Sequence, residues 1–255
     1  NTATRGARKE FPAVAVIVSE INQITIYDGD DPDMPMWMIF NQGGSWNSSS
    51  NMIMPTSPDP VSVSALNGIL SIAYSSGYGV GILNFISESK IVIFANNVTR
   101  YNNDISQRNN SWGHYDAPDA RRIANSAVND VAMTVLPNAP IDAATGLPVP
   151  TIAVATDGGV SVIKDNGTVV DSGDTNNFSV IKFSPNGTLI GMHSAGHRLR
   201  LFNDYNADGF TYTSFATNDI SGPQNALSPN GNSDGVDGVL YNNGFDWGFT
   251  SGLTK

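Results

Sequence analysis

Asp204-Tyr-Asn-Ala-Asp-Gly209 places oxygen-bearing side chains at its first, third and fifth positions and glycine at its sixth. That is the opening of a calcium loop, in which short side chains fold round one hard cation while glycine makes the sharp turn. Asp204, Asn206 and Asp208 are therefore the candidate calcium ligands, and calcium is the one cofactor the sequence brings into view. The completing acid is missing, since the ninth position is Tyr212 and the twelfth Phe215. An Asx-rich turn accounts for the same residues without a metal. Asp28-Gly-Asp-Asp-Pro-Asp33 and Asn232-Ser-Asp-Gly-Val-Asp-Gly238 read as solvated hairpin tips.

A second chemistry is stacking on sugar rings. Trp46, Trp112 and Trp247 each sit among Asn, Ser and Gly, with Asn110 beside Trp112. Such neighbours can both donate to and accept from hydroxyl groups. Trp37 lies in an apolar run and reads as core. His193 and His197 flank Ser-Ala-Gly and read as straddling a turn rather than as a metal pair, and His114 stands by itself in a polar stretch. A Gly-x-Ser-x-Gly elbow is absent. Glu is confined to Glu10, Glu20 and Glu88, and no spacing pairs two acids as a glycosidase requires. No catalytic residue is assigned.

The elements that must position these groups are short β-branched runs bounded by Asn, Asp, Gly and Ser. Val14–Val18, Gln23–Tyr27 and Met36–Phe40 form a first set. Val61–Leu66, Ile69–Tyr74, Val80–Phe85 and Lys90–Phe94 form a second, with Asn67-Gly68 as a type I′ hairpin signal. Asn129–Val135, Thr151–Ala155, Val160–Lys164 and Thr168–Val170 form a third. Phe178–Phe183, Thr188–His193 and His197–Phe202 begin a fourth. Recurrence of a four-strand phrase about every 45 to 60 residues is the mark of propeller blades. The sequence thus predicts an all-β, β-propeller-like fold of four-stranded blades, about four to six in number. Small residues such as Ala73, Ala153 and Gly191 suit its crowded inner positions. Residues 1–12 read as an arm and 13–255 as a single domain. Long loops at 41–60 and 96–127 are the expected seat of function.

Composition sets the boundaries. The chain has 255 residues, no cysteine, 14% charged residues and a net charge of −10. Disulfides and cysteine-ligated zinc are excluded. Thirteen basic against 23 acidic residues argue against a nucleic-acid partner, which needs a cationic face. The apolar run Ala13–Val18 is far too short to span a bilayer, so membrane insertion is not expected.

Three stretches carry a resemblance: Asn1–Pro12, Thr25–Met38 and Val128–Lys164. They resemble virion proteins of marine tailed bacteriophages, of the tail or fibre type. The resemblance implies a non-enzymatic structural protein of the virion, assembled with other virion subunits as a homo-oligomer and attaching to a host surface glycan. It also implies a longer parent polypeptide, in keeping with the absence of an initiator Met and the turn-like residues Gly248–Lys255. Two other readings stay open: a propeller glycoside hydrolase or lyase acting on host polysaccharide, and a secreted calcium-loop propeller used for adhesion.

Overall fold

The structure, a computed structural model, describes residues 12–21, 23–41, 53–54, 59–74, 76–110, 113–194, 198–202, 204–215, 240–242 and 245–247. Among these, regular structure is antiparallel β with one short 3-10 turn at Ile105–Gln107. The first sheet joins β1 (Ala15–Glu20), β2 (Gln23–Asp28) and β3 (Met36–Asn41) in chain order. The second joins β4 (Pro60–Leu66), β5 (Ile69–Tyr74), β6 (Val80–Asn84), β7 (Ser89–Ile93), β8 (Val98–Tyr101) and β9 (His114–Asp116). The third is β10 (Val128–Thr134), β11 (Thr151–Thr156), β12 (Gly159–Ile163) and β13 (Val169–Asp171). The fourth is β14 (Phe178–Phe183), β15 (Leu189–His193), β16 (Arg198–Phe202) and β17 (Thr213–Phe215). A hairpin of β18 (Leu240–Asn242) and β19 (Phe245–Trp247) follows.

Each sheet is a meander, and the opening strands stand side by side: β1 beside β4, β4 beside β10, β10 beside β14. Packing follows from this order. One apolar core lies between the first and second sheets, a second between the second and third, and another between the third and fourth. The strand β11 shows how a central sheet serves two cores. Ile152 and Val154 enter the core shared with the second sheet, whereas Ala153 and Ala155 enter the one shared with the fourth. Period-two alternation sends them to opposite faces. With both faces covered, β11 reads as an unbroken buried run.

The second, third and fourth sheets repeat one irregularity. The register of the opening strand slips between Pro60 and Ser62, between Val128 and Asp130, and between Phe178 and Val180. A bulge re-aims the side chain that follows it. In β10 that side chain is Asp130, whose Oδ1 accepts from Ser62 Oγ of β4 at 2.5 Å. Its Oδ2 accepts from the Ile181 N–H of β14 at 2.9 Å and from Lys182 Nζ at 3.1 Å. One buried carboxylate therefore ties three sheets together.

Several expectations meet the structure directly. Asn67 and Gly68 both adopt positive φ, as the type I′ hairpin requires. Trp37 is buried and packs edge-on against Phe85. At Gly191 a Cβ would lie 2.8 Å from the Phe178 ring, so crowding excludes any larger residue. The stretch 96–127 is not one long loop. It holds β8, β9 and the 3-10 turn, which extend the second sheet to six strands. Arg100, Tyr101 and Tyr115 interrupt the apolar alternation there and conceal the strands from a reading by pattern. The turn after β2 is also more than a solvated tip. Asp30 accepts the N–H groups of Ala13 and Val14 at 2.6 and 3.1 Å and fixes the chain as it enters β1. His193 ends β15, and His197 lies outside the described residues. The arm up to Phe11, most of 41–60 and the Asn232–Gly238 motif also lie outside them.

Candidate functional site

At the end of the second sheet where β5 turns into β6 and β7 into β8, a groove of about 540 Å³ opens. Its walls are the aromatic rings of Tyr78 and Phe94 and the amides of Asn96, Asn97 and Asn125, with Ser126 between. Local sequence explains the shape. Gly77 and Gly79 take φ of +86° and +73°, and Tyr78 between them is half-buried, packed against the core of the first two sheets while it lines the groove. At Gly79 a Cβ would lie 2.3 Å from the Ile93 carbonyl oxygen, so the turn must pass there without a side chain.

The segment leading to β10 closes the other wall. Ser126 accepts the Gly79 N–H at its carbonyl oxygen, 2.7 Å away, and the Ala95 N–H at Oγ, 2.9 Å away. Ile123 donates to the Phe94 carbonyl, and Ala124 to Ser161 Oγ. Asn97 Nδ2 donates to Asp116 Oδ1 at 3.0 Å, which sets the orientation of its amide. Asn125 Oδ1 accepts from the Ala127 N–H at 2.8 Å. Asn96 stands exposed at the rim. The groove thus combines apolar ring faces with amides that can give and take hydrogen bonds, the chemistry suited to a polyhydroxylated ligand.

The residues singled out by sequence take other places. Trp46 and Trp112 lie outside the described residues, and Trp247 is the last residue of β19. Asn110 is exposed and lies three residues after the 3-10 turn. Its N–H donates to the Gln107 carbonyl at 2.8 Å, and its own carbonyl accepts from Tyr101 at 3.0 Å. This turn fastens the second sheet onto the edge of the first: Arg108 Nε donates to the Ile39 carbonyl, and Asn109 Oδ1 accepts from the Asn41 N–H. Asp204 caps an Asx turn, accepting the Asn206 N–H at 3.1 Å and its side-chain amide at 2.6 Å. Asp208 Oδ1 accepts from the Asp171 N–H, and the Asn206 carbonyl from Lys164 Nζ at 3.2 Å. These three residues thus stitch β13 and Lys164 to the turn. No group of three His, Asp or Glu side chains able to hold a metal ion occurs among the described residues. Tyr78 and Phe94 escaped the sequence reading because one sits in a glycine turn and the other directly follows a strand; neither position marks a groove until the sheets are stacked.

The described carboxylates act mainly as joints. Asp157 Oδ1 accepts the side-chain amides of Asn129 and Asn177 across the third and fourth sheets. Asp174 lies 3.7 Å from Arg200, both nearly fully buried, and Arg200 also covers the Tyr212 ring at 4.1 Å. Hydrogen bonding and charge from Arg121, with Arg100 adding to them, hold Asp119 down at about 2. Asp171 is raised, first by burial and further by the charge of Asp208, against the hydrogen bond from Ser161.

The strongest anomaly is a buried amine. Lys90 of β7 is 1% exposed, and its Nζ donates to the Ile53 carbonyl at 2.6 Å and to the Tyr74 hydroxyl at 3.1 Å. Burial lowers its pKa to about 7 and raises that of Tyr74. His114 beside them is pushed down to about 3, chiefly by burial and then by the charge of Lys90. Gly81 makes the space, since a Cβ there would meet the Tyr74 ring at 2.8 Å and Lys90 Cε at 3.2 Å.

Successive antiparallel meanders with their opening strands side by side define a β-propeller-like fold. No protein-family model and no curated protein sequence matches the chain. Among solved structures, the chain is similar to the β-propeller domain of Cps50 (Swd1) from Myceliophteria thermophila: 10% identity, 78% of this chain, 67% of that one, TM-score 0.35. It is similar to virginiamycin B lyase from Staphylococcus aureus, with 8% identity, 82% and 70% coverage and TM-score 0.35. A Bacteroides caccae protein of unknown function shares 12% identity over 82% of this chain and 74% of its own, with TM-score 0.34.

Proposed function

We propose that this chain is a non-enzymatic recognition module of a virion tail or fibre, binding a saccharide of the host surface in the amide-lined groove. The observation that carries the reading is the groove itself, with the rings of Tyr78 and Phe94 beside the amides of Asn96, Asn97 and Asn125. A sugar ring offers an apolar face and a hydroxyl edge, and this wall has a counterpart for each. The low charge of the chain and the resemblance of 1–12, 25–38 and 128–164 to tail and fibre proteins support the setting. The engagement of Asp119, Asp130 and Asp157 in structural bonds favours recognition over hydrolysis.

The test is a titration of the purified chain against a panel of bacterial surface oligosaccharides. Binding is expected, with Tyr78→Ala and Asn125→Ala each weakening it about tenfold, equivalent to about 1.4 kcal/mol. Saccharide binding unchanged in both variants, or cleavage of the bound oligosaccharide, overturns the reading. The virion setting predicts a stable multimer by light scattering and counts against a monomer of 27.1 kDa.

A further inference from the structure

The seam between the second and third sheets opens a second time, at its opposite end, into a cleft of about 310 Å³. Here the turn after β6 and the turn after β12 face each other. The floor is aliphatic, with Ile82 and Ile91 on one side and Ile152 and Ile163 on the other. Three cations stand round it: Arg100 on β8, Arg121 on the segment leading to β10, and Lys164 at the end of β12. Three of the 13 basic residues of an acidic chain thus border one small cleft.

The carboxylates nearby do not balance them. Arg121 holds Asp119 with Nε at 3.0 Å from Oδ1 and Nη2 at 2.5 Å from Oδ2. Arg100 reaches the same carboxylate through Nη2 at a long 3.5 Å, with its side chain 39% exposed. One carboxylate therefore faces two guanidiniums, and it stays ionised because Arg121 holds its pKa at about 2. Asp165 lines the cleft beside Lys164, whose Nζ donates to the neutral Asn206 carbonyl at 3.2 Å and keeps its charge. A positive charge remains, presented by a planar, half-exposed guanidinium above an aliphatic floor. Guanidinium geometry matches a carboxylate, which can take two of its N–H groups at once. Desolvated aliphatic walls reward an apolar body and strengthen the ion pair beside them.

We propose that this cleft binds a small organic carboxylate with an apolar body, its carboxylate on Arg100 and Lys164 and its chain on the isoleucine floor. The site is independent of the saccharide groove and stands at the other end of the sheets. Arg121 acts here as a positioning residue, holding Asp119 so that Arg100 is left facing the cleft.

The experiment is calorimetric titration of the full chain with sodium hexanoate, hexyl sulfate and 1-hexanol. Hexanoate is expected to bind. Hexanol, with the same body and no charge, should bind at least about tenfold more weakly, the difference of one charge-assisted hydrogen bond. Arg100→Gln and Lys164→Met should each weaken hexanoate about fivefold to tenfold while leaving the melting temperature unchanged. Tyr78→Ala should leave hexanoate binding as in the parent chain, which separates failure here from failure at the groove. Equal affinity for hexanol, undiminished hexanoate binding in both charge variants, absence of hexanoate binding at millimolar concentration, or preference for hexyl sulfate over hexanoate would each overturn the proposal.

Discussion

The core between the first and second sheets and the core between the third and fourth are built on the same strand plan and filled in opposite ways. The latter is hydrocarbon and rings, with Phe202 edge-on to Phe210 and Tyr212 and tilted against Phe178. The former surrounds Lys90, Tyr74 and the Ile53 carbonyl with apolar side chains. Register makes the positions comparable. Tyr74, Thr156 and His193 each face the residue before the bulge in their sheet: Pro60, Val128 and Phe178. One backbone site thus carries a phenol, a hydroxyl and an imidazole. A glycine one strand away makes room in two cases, Gly81 for Tyr74 and Lys90, and Gly191 for Phe178 and Phe202. The plan fixes where bulk goes and leaves its polarity to the neighbours.

The sharpest way to break that contrast is pH. Lys90 has a folded pKa of about 7 against an unfolded value of 10.5, so between these the unfolded chain binds the extra proton. Stability should therefore rise with pH from about 7 toward 10, by up to about 1.4 kcal/mol per unit, a total approaching about 4 kcal/mol. Above 10 the buried Tyr74, raised in pKa, turns the slope downward. His114, folded at about 3, adds a second rise between about 3 and 6.5. Urea unfolding across this range should show the alkaline rise in the parent chain and not in Lys90→Met; equal slopes in the two would dissolve the contrast between the cores.

Phe202→Ala tests the other core. Loss of a fully buried ring that meets three others should cost about 4 kcal/mol at every pH, with none of the slope assigned to Lys90. The joint between sheets comes next. Asp130→Ala leaves the Ile181 N–H and the Ser62 hydroxyl without their acceptor and should cost about 3 kcal/mol by the same measurement. Gly81→Ala and Gly191→Ala should each cost about 2 kcal/mol through overpacking, with the former also shifting the alkaline slope because it displaces Lys90. Smallest is Asn125→Ala at the groove, expected to cost about 1 kcal/mol through the lost acceptor of the Ala127 N–H while it weakens saccharide binding.

How much of this could be read beforehand depends on range along the chain. Ile69–Tyr74 and Phe178–Phe183 announce themselves by alternation and the turns beside them, and the observed strands have those same bounds. Val98–Tyr101 and His114–Asp116 are short and polar, and they are strands because β7 offers an edge to β8 and β8 in turn to β9. The groove was half legible. Its glycine turn is visible as Gly77-Tyr-Gly79, but the wall opposite comes from Asn125 and Ser126, which no local pattern joins to it.

Period-two alternation, glycine and Asx turns, and the scarcity of charge by themselves determined an all-β chain of repeated meanders, since each is a property of neighbouring residues. Tertiary structure decided which carboxylate became a joint, which lysine lost its water and which arginines came to share one aspartate. Those outcomes depend on residues distant along the chain, such as Tyr74 with Lys90, 16 positions apart, Arg100 with Asp119, 19 apart, and Asp130 with Ser62, 68 apart. Desolvation and Coulomb attraction act through space, and only the stacking of sheets sets the distances on which they depend.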